Sequence, residues 1–285
     1  MGLKRSELQG LLYVALAVVM FATSPVLIRV AFPVSSFEIT FWRMAVAAPT
    51  VLVLSVLLRQ PISLRKADLG RFALYGLVAA LHFLLYIASL QFTTIAHSLS
   101  LVYTAPIFIA VLSAIFLGEP IPRRKYVGIA VAVVGVAILA GFEPQFSWRM
   151  LLGDLLALGS AVCFGIYSVI GRSQRERYSL LTYAFGVYGL AAVWLAPAAI
   201  VSFRPVYSLT AILAILFLGI FPLGLGHTLY NAAIRRVHAA YANLIATQEV
   251  TGGIILGFLV LGEVPSSNAL IGCILTLGGI VMVLL

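Results

Sequence analysis

Glu249 stands in the stretch Ala246–Gly253, Ala-Thr-Gln-Glu-Val-Thr-Gly-Gly, inside an apolar run from about residue 239 to 261. A carboxyl that deep in a bilayer can carry a proton or hold a cation, and an ionisable group inside a spanning segment is a functional candidate by default. Helical periodicity puts other polar groups on common faces. His82, Tyr86 and Ser89 share a stripe, Ser100 and Tyr103 are three apart, and His227, Tyr230 and Asn231 cluster. Asn243, Thr247 and Thr251 align, with Gln248 beside them. At roughly 100° per residue Glu249 falls about 200° from Thr247, on a face with Gly253 and Gly257. That phase assigns Thr247, Gln248 and Thr251 to the solute side. It leaves Glu249 as an uncharged group hydrogen-bonded to a neighbouring helix, with proton coupling as the alternative. Neutral polar groups in membrane helices more often bond helix to helix than touch a ligand, so each stripe carries both readings.

The sequence has no nucleophile motif, metal-binding pair or Asp-Asp arrangement, which predicts no catalytic residue, no metal and no cofactor. Cys163 and Cys273 fall in different apolar runs with no second ligand nearby, and read as small buried hydrophobes. The phosphate-cradling loop of an ATPase is absent too, so direct ATP drive is excluded.

The elements that position these groups follow from composition. Of 285 residues, 62% are hydrophobic and 9% charged, which as a water-soluble globule would expose far too much apolar surface. Ten apolar runs are long enough to span a bilayer core of roughly 30 Å: 9–31, 37–58, 69–91, 96–117, 124–141, 150–171, 180–201, 208–233, 239–261 and 266–285. The runs are continuous rather than alternating, which predicts helices and not a β-barrel. The first run is longer than a signal segment and reads as a retained span.

The net charge of +9 sorts by side. Lys4, Arg5, Arg59, Arg65, Lys66, Arg71, Arg123, Arg124, Lys125, Arg172, Arg175, Arg177, Arg235 and Arg236, 14 of the 18 basic residues, fall at one set of loops and helix ends. Positive loops stay cytoplasmic, so both termini are expected inside, and the charge calls for no nucleic acid. Arg29, Arg149 and Arg204 fall on the other side, and Arg43, near the outer end of the second run, is expected to snorkel.

The chain repeats itself. Leu-Gly-Glu occurs at 117–119 and 261–263, an offset of 144 that also pairs Leu85-Tyr86 with Leu229-Tyr230, Ala88 with Ala232 and Ala96 with Ala240. The same offset pairs Gly128 with Gly272, Gly135 with Gly279 and Tyr103 with Thr247. Nearer the start of each half the offset is 143, pairing Met20 with Cys163, Phe21 with Phe164, Ser24 with Tyr167 and Arg29 with Arg172. This predicts an all-α integral membrane protein of ten transmembrane helices: two five-helix repeats, residues 1–142 and 143–285, with no soluble domain. Five is odd, so the repeats are inverted, and inverted repeats place a solute site between them. The first, third, fourth, sixth, eighth and ninth helices are expected to line a central cavity. Pro222, Gly224 and Gly226 should loosen the eighth. The Leu-Gly-Glu glutamates, at helix exits, read as loop ties.

Tyr86, Ala88 and Ala96, their partners Tyr230, Ala232 and Ala240, the mid-span Pro106 and the two Leu-Gly-Glu turns resemble the ten-helix EamA-type members of the drug/metabolite transporter superfamily. The Glu-Pro common in that family's ninth span is Glu249-Val250 here, which removes the proline that would kink it. The resemblance implies alternating-access export of small metabolites, often amino acids, and among known members the bacterial aromatic amino-acid exporters of the YddG type. The expected pathway is Ser24, His82, Tyr86, Ser100, Tyr103, Tyr167, His227, Tyr230, Asn231, Asn243, Thr247, Gln248 and Thr251. The expected partners are a small-molecule solute and the lipid bilayer, with the chain a monomer or weak homodimer in a bacterial-type inner membrane. A proton-coupled exporter of drugs or other organic solutes working through Glu249 is the alternative, and a non-transporting scaffold or sensor a remote one.

Overall fold

The computed structural model describes residues 4–93, 95–140, 147–204, 207–261 and 267–284, which are helical with short connections. Span 1 is α1 (Arg5–Phe21) and α2 (Ser24–Ala31), span 2 is α3 (Ser36–Leu57), and span 3 is α4 (Leu69–Ser89). Span 4 is α5 (Ile95–Val102) and α6 (Ala105–Phe116), span 5 is α7 (Arg123–Ala140), span 6 is α8 (Trp148–Ser173), and span 7 is α9 (Leu180–Ser202). Span 8 runs through α10 (Leu209–Leu218), a π-helical stretch (Gly219–His227) and α11 (Thr228–Ile234). Span 9 is α12 (Ala239–Ala246) and α13 (Gln248–Leu261), and span 10 is α14 (Ser267–Leu284). Among the described residues, eight spans are long and apolar enough to cross a membrane. The others are α7, which opens on Arg123, Arg124 and Lys125, and α14, with its apolar stretch Ile274–Val283. Gly262, Glu263, the boundary at 142/143 and the expected span ends at 141, 266 and 285 lie outside the described residues, as do the side chains of Ala96 and Cys273 and the packing of Gly257.

Serines start four spans. The Ser35, Ser147, Ser179 and Ser208 hydroxyls each accept a backbone N–H three residues on, at 3.1–3.3 Å, which satisfies an orphan donor of the first turn. Spans 1 and 4 break just before Pro25 and Pro106. Span 8 widens around Pro222, where the sequence expects a loosened helix. Span 9 breaks at Thr247 without a proline: the Thr247 hydroxyl donates to Leu244 O at 2.7 Å and competes with the helix ladder.

Contacts at the helix ends show that the two halves run oppositely. Arg29, ending span 1, reaches Thr93 O, and Arg149, opening span 6, reaches Gln91 O, so both sit at one end of the bundle. Arg172, ending span 6, binds Ile234 O and Val237 O at the opposite, basic end. Packing is two-fold: span 2 lies on span 7 and span 5 on span 10, while the pairing of 3 with 6 is matched by that of 8 with 1. The α7–α14 seam shows the symmetry at atomic level. A Cβ on Gly135 would stand 2.5 Å from Thr276 N and 2.9 Å from Gly272 O; one on Gly279 would stand 2.5 Å from Ala132 N and 2.6 Å from Gly128 O. These two sets of contacts interconvert under the offset of 144, and only glycine permits so close an approach.

Candidate functional site

The breaks in spans 1, 4, 8 and 9 surround an enclosed chamber of about 20 Å³, room for roughly one water. Phe21, Ser24, Arg43, His82, Phe83, Tyr86, Leu99, Val102, Tyr103, Phe164, His227 and Glu249 line it. Its walls are rings: Phe21 and Phe83 flank His227 with centroids 4.4 and 4.7 Å away, and His82 stacks on Phe164 at 4.5 Å. His82 is fixed by span 6, its Nδ1 lying 3.1 Å from Ser160 O and 2.9 Å from Ser160 Oγ, whose hydroxyl donates to His82 O. Span 9 brings the Glu249 carboxylate into the chamber. Tyr103 donates to one carboxyl oxygen through a short hydrogen bond, and Tyr86 donates to the other at 3.4 Å. Arg43, the chamber's guanidinium, is 1% exposed. Its Nη1 lies 3.5 Å from Ser24 Oγ, its guanidinium carbon sits 4.6 Å over the Phe83 ring, and its buried Nε meets no acceptor.

A second polar group lies alongside. Asn231 donates to Tyr167 OH at 2.6 Å and to Tyr188 OH at 3.4 Å, and Tyr188 OH is 3.4 Å from Thr228 Oγ1. Ser168 and Tyr230 share a hydrogen bond of 2.8 Å, and Asn243 donates to Tyr230 OH at 3.3 Å.

The chamber thus gathers Ser24, His82, Tyr86, Tyr103, His227 and Glu249, and the second group holds Tyr167, Tyr230, Asn231 and Asn243. Ser100 is buried on α5, outside that lining. On span 9 the chamber takes Glu249 rather than the stripe. Thr247, Gln248 and Thr251 are not among the residues that line it: Thr247 bonds its own helix, and Thr251 donates to Gln248 at 3.2 Å. Thr247 keeps helical dihedrals, so the two faces stay opposed as their phase requires, and the one that carries Glu249 is turned to the chamber. The expectation for Arg43 is corrected. It lies seven residues into α3, about 10 Å at 1.5 Å per residue, too deep to reach the helix end, and its burial makes span 2 part of the wall. That depth was the signal available in the sequence. Phe21 and Phe164 were marked by the repeat register without being read as walls, and Phe83 gave no signal, because rings are common along these helices.

A family model described as the EamA-like transporter family matches residues 8–141 and, a second time, 151–285. The chain belongs to the EamA-like transporter family. Among its relatives, a probable terminal-alkyne amino-acid exporter of Streptantibioticus cattleyicolor is 28% identical over 185 residues, covering 64% of this chain and 62% of that one. A pseudopaline exporter of Pseudomonas aeruginosa is 25% identical over 190 residues, covering 65% of each. A solved structure at 20% identity superposes with a TM-score of 0.79 over 96% of this chain and 95% of that one, a likeness of fold.

At the basic end of this EamA bundle, between spans 1, 2, 7 and 8, opens a groove of about 820 Å³ bordered by Tyr13, Met20, Leu54, Leu225, Thr228, Arg175, Arg235 and Arg236 among others. Met20 borders the groove and Phe21 the chamber; Thr228 borders the groove and His227 the chamber. The same end carries a clasp built on the first Leu-Gly-Glu turn. Gly118 adopts φ 63, the left-handed conformation that closes a helix end, and Glu119 then accepts from Arg172 Nε and, at 3.3 Å, from Arg175. Arg172 also donates to Ile234 O at 2.7 Å and Val237 O at 2.6 Å, and His238 Nε2 lies 3.0 Å from Glu119 O. Burial raises the Glu119 carboxyl, but the Arg172 hydrogen bond and the Arg172 and Arg175 charges outweigh it and hold the group below its usual 4.5.

Proposed function

We propose that this EamA-family transporter exports small amino-acid-like metabolites, and that it does so by alternating access between its two repeats, residues 1–142 and 143–285. The observation that carries the reading is the chamber: ring walls with a guanidinium and a carboxyl group, buried where the broken spans of both halves meet. Such a site suits a solute with a polar head and an apolar body, and the relatives above are named as exporters, one of a terminal-alkyne amino acid and one of pseudopaline. The aromatic amino acids of the YddG type fit the rings. The groove at the basic end supplies entry from the cytoplasm, where the excess of Lys and Arg orients that end in a bacterial inner membrane, with both termini inside. The chamber is complete within one chain. A solute larger than water enters only when spans 1 and 8 part, and the break after Phe21 and the π-helical stretch before Thr228 are the places that yield.

The test is efflux of labelled amino acids from proteoliposomes holding the purified chain, with and without a pH gradient. Flux of apolar amino acids above that of empty liposomes is expected, and no flux of any solute overturns the reading. A second reading, proton coupling through Glu249, is favoured by that residue's place in the chamber. It predicts that the gradient accelerates flux in the wild type and not in Glu249→Gln.

A further inference from the structure

Arg43 and Glu249 share the chamber but do not pair: among the described residues no ion pair within 4.0 Å joins them. Each is prepared on one side and open on the other. A guanidinium carries five N–H donors. In the protein Arg43 uses one on Ser24 at 3.5 Å, rests its plane over Phe83 and leaves Nε buried without an acceptor. A buried cation so poorly supplied calls for an anion, and the planar fork matches a carboxylate. Glu249 is aimed by one donor to each oxygen, Tyr103 and Tyr86, and an ionised carboxylate has about four acceptor sites. Sites remain for an ammonium group. Phe83 is covered by Arg43, whereas Phe21 and Phe164, which pack against His227 and His82, also line the chamber and carry no charged partner.

We propose that the chamber reads its cargo at two points, Arg43 taking a carboxylate and Glu249 an ammonium, so that the cargo is a zwitterionic α-amino acid whose apolar side chain lies against Phe21 and Phe164. This rests on the transport reading and names the residues that set its specificity. A solute with one charge leaves the other residue buried and unmatched, and sites with unmet buried polar groups discriminate strongly.

The experiment is counterflow of labelled L-phenylalanine and L-leucine into proteoliposomes. The competitors are the unlabelled amino acid, phenethylamine (no carboxylate) and 3-phenylpropionate (no ammonium). The expected result is that each one-charge analogue competes at least about tenfold more weakly than the zwitterion. Arg43→Met is expected to lose zwitterion flux, with Arg43→Lys recovering part of it, and Glu249→Gln to lose preference for the ammonium group. Equal competition by either analogue, or an unchanged KM in Arg43→Met, overturns the two-point site while transport stands. Absence of flux for every labelled solute in the wild type overturns both. Thermal unfolding of each purified variant reports whether it is folded, and the analogue competition in the wild type decides the matter even if a variant is not.

Discussion

Two clusters of charge in the molecule, the part-buried clasp and the buried chamber, are built on opposite principles. In the clasp every charge is answered: Glu119 has two arginines, and Arg172 has a carboxylate and two backbone carbonyls that close a helix end. In the chamber Arg43 has a long contact to a serine and the face of a ring. A satisfied network ties elements together, whereas a buried charge short of partners burdens the fold. On the two-point proposal, the first serves architecture and the second is kept for cargo. The clasp also has an echo at the other end of the bundle. Arg29, the repeat partner of Arg172, donates at 3.0 Å to the carbonyl of Thr93, the repeat partner of Val237.

The largest expected break in this comparison comes from Arg172→Ala, which leaves Glu119 with Arg175 alone and two carbonyls without their donor. The lost charged hydrogen bonds should cost about 3 kcal/mol, read as a lower unfolding midpoint in detergent. Arg43→Met should do the reverse, raising the midpoint while losing zwitterion flux; a drop as large as that of Arg172→Ala would erase the distinction between the clusters. Next is the uncharged α7–α14 seam. Gly135→Ala and Gly279→Ala should each cost about 1–3 kcal/mol and, because their contacts are related by two-fold symmetry, should do so alike. A marked inequality would speak against that symmetry.

Acid sharpens the contrast further. The Glu119 carboxyl is held below 4.5, so its contribution to stability is complete above the ordinary carboxylate range and disappears as the pH falls through the lowered value. Unfolding midpoints followed downward from neutral pH should decline below the ordinary range, and Glu119→Gln should remove much of that slope. The smallest effect is expected from Tyr103→Phe, which deprives Glu249 of one donor and should cost about 1 kcal/mol of stability with a measurable fall in amino-acid flux.

Much of the fold was legible in the sequence because lipid imposes a simple rule on length and polarity, and because the duplication left matching residues at a constant offset. Pro222 with its neighbouring glycines announced the widened stretch of span 8. The site was harder to read because helical phase sorts residues onto opposite faces without saying which face a chamber will meet. Thr247 and Glu249 lie on opposite faces of span 9, and nothing in the sequence marked the glutamate's as the inner one. Thr247 itself matched the periodicity of a pathway residue, yet its hydroxyl serves the backbone. Arg43 resembled a helix-end arginine until its depth along α3 is measured, and its burial depends on Phe83, forty residues away in the chain.

The partition between groove and chamber is one residue thick on both sides: Met20 beside Phe21 on span 1, Thr228 beside His227 on span 8. A neighbour in the chain is a quarter-turn or so away around a helix, so a twist of either rod carries a side chain from one compartment into the other without sliding it along the bundle. On the alternating-access proposal, access through such a wall is a matter of torsion, and the break beside Phe21 and the π-helical run ending at His227 are where each rod departs from the regular α-helical ladder.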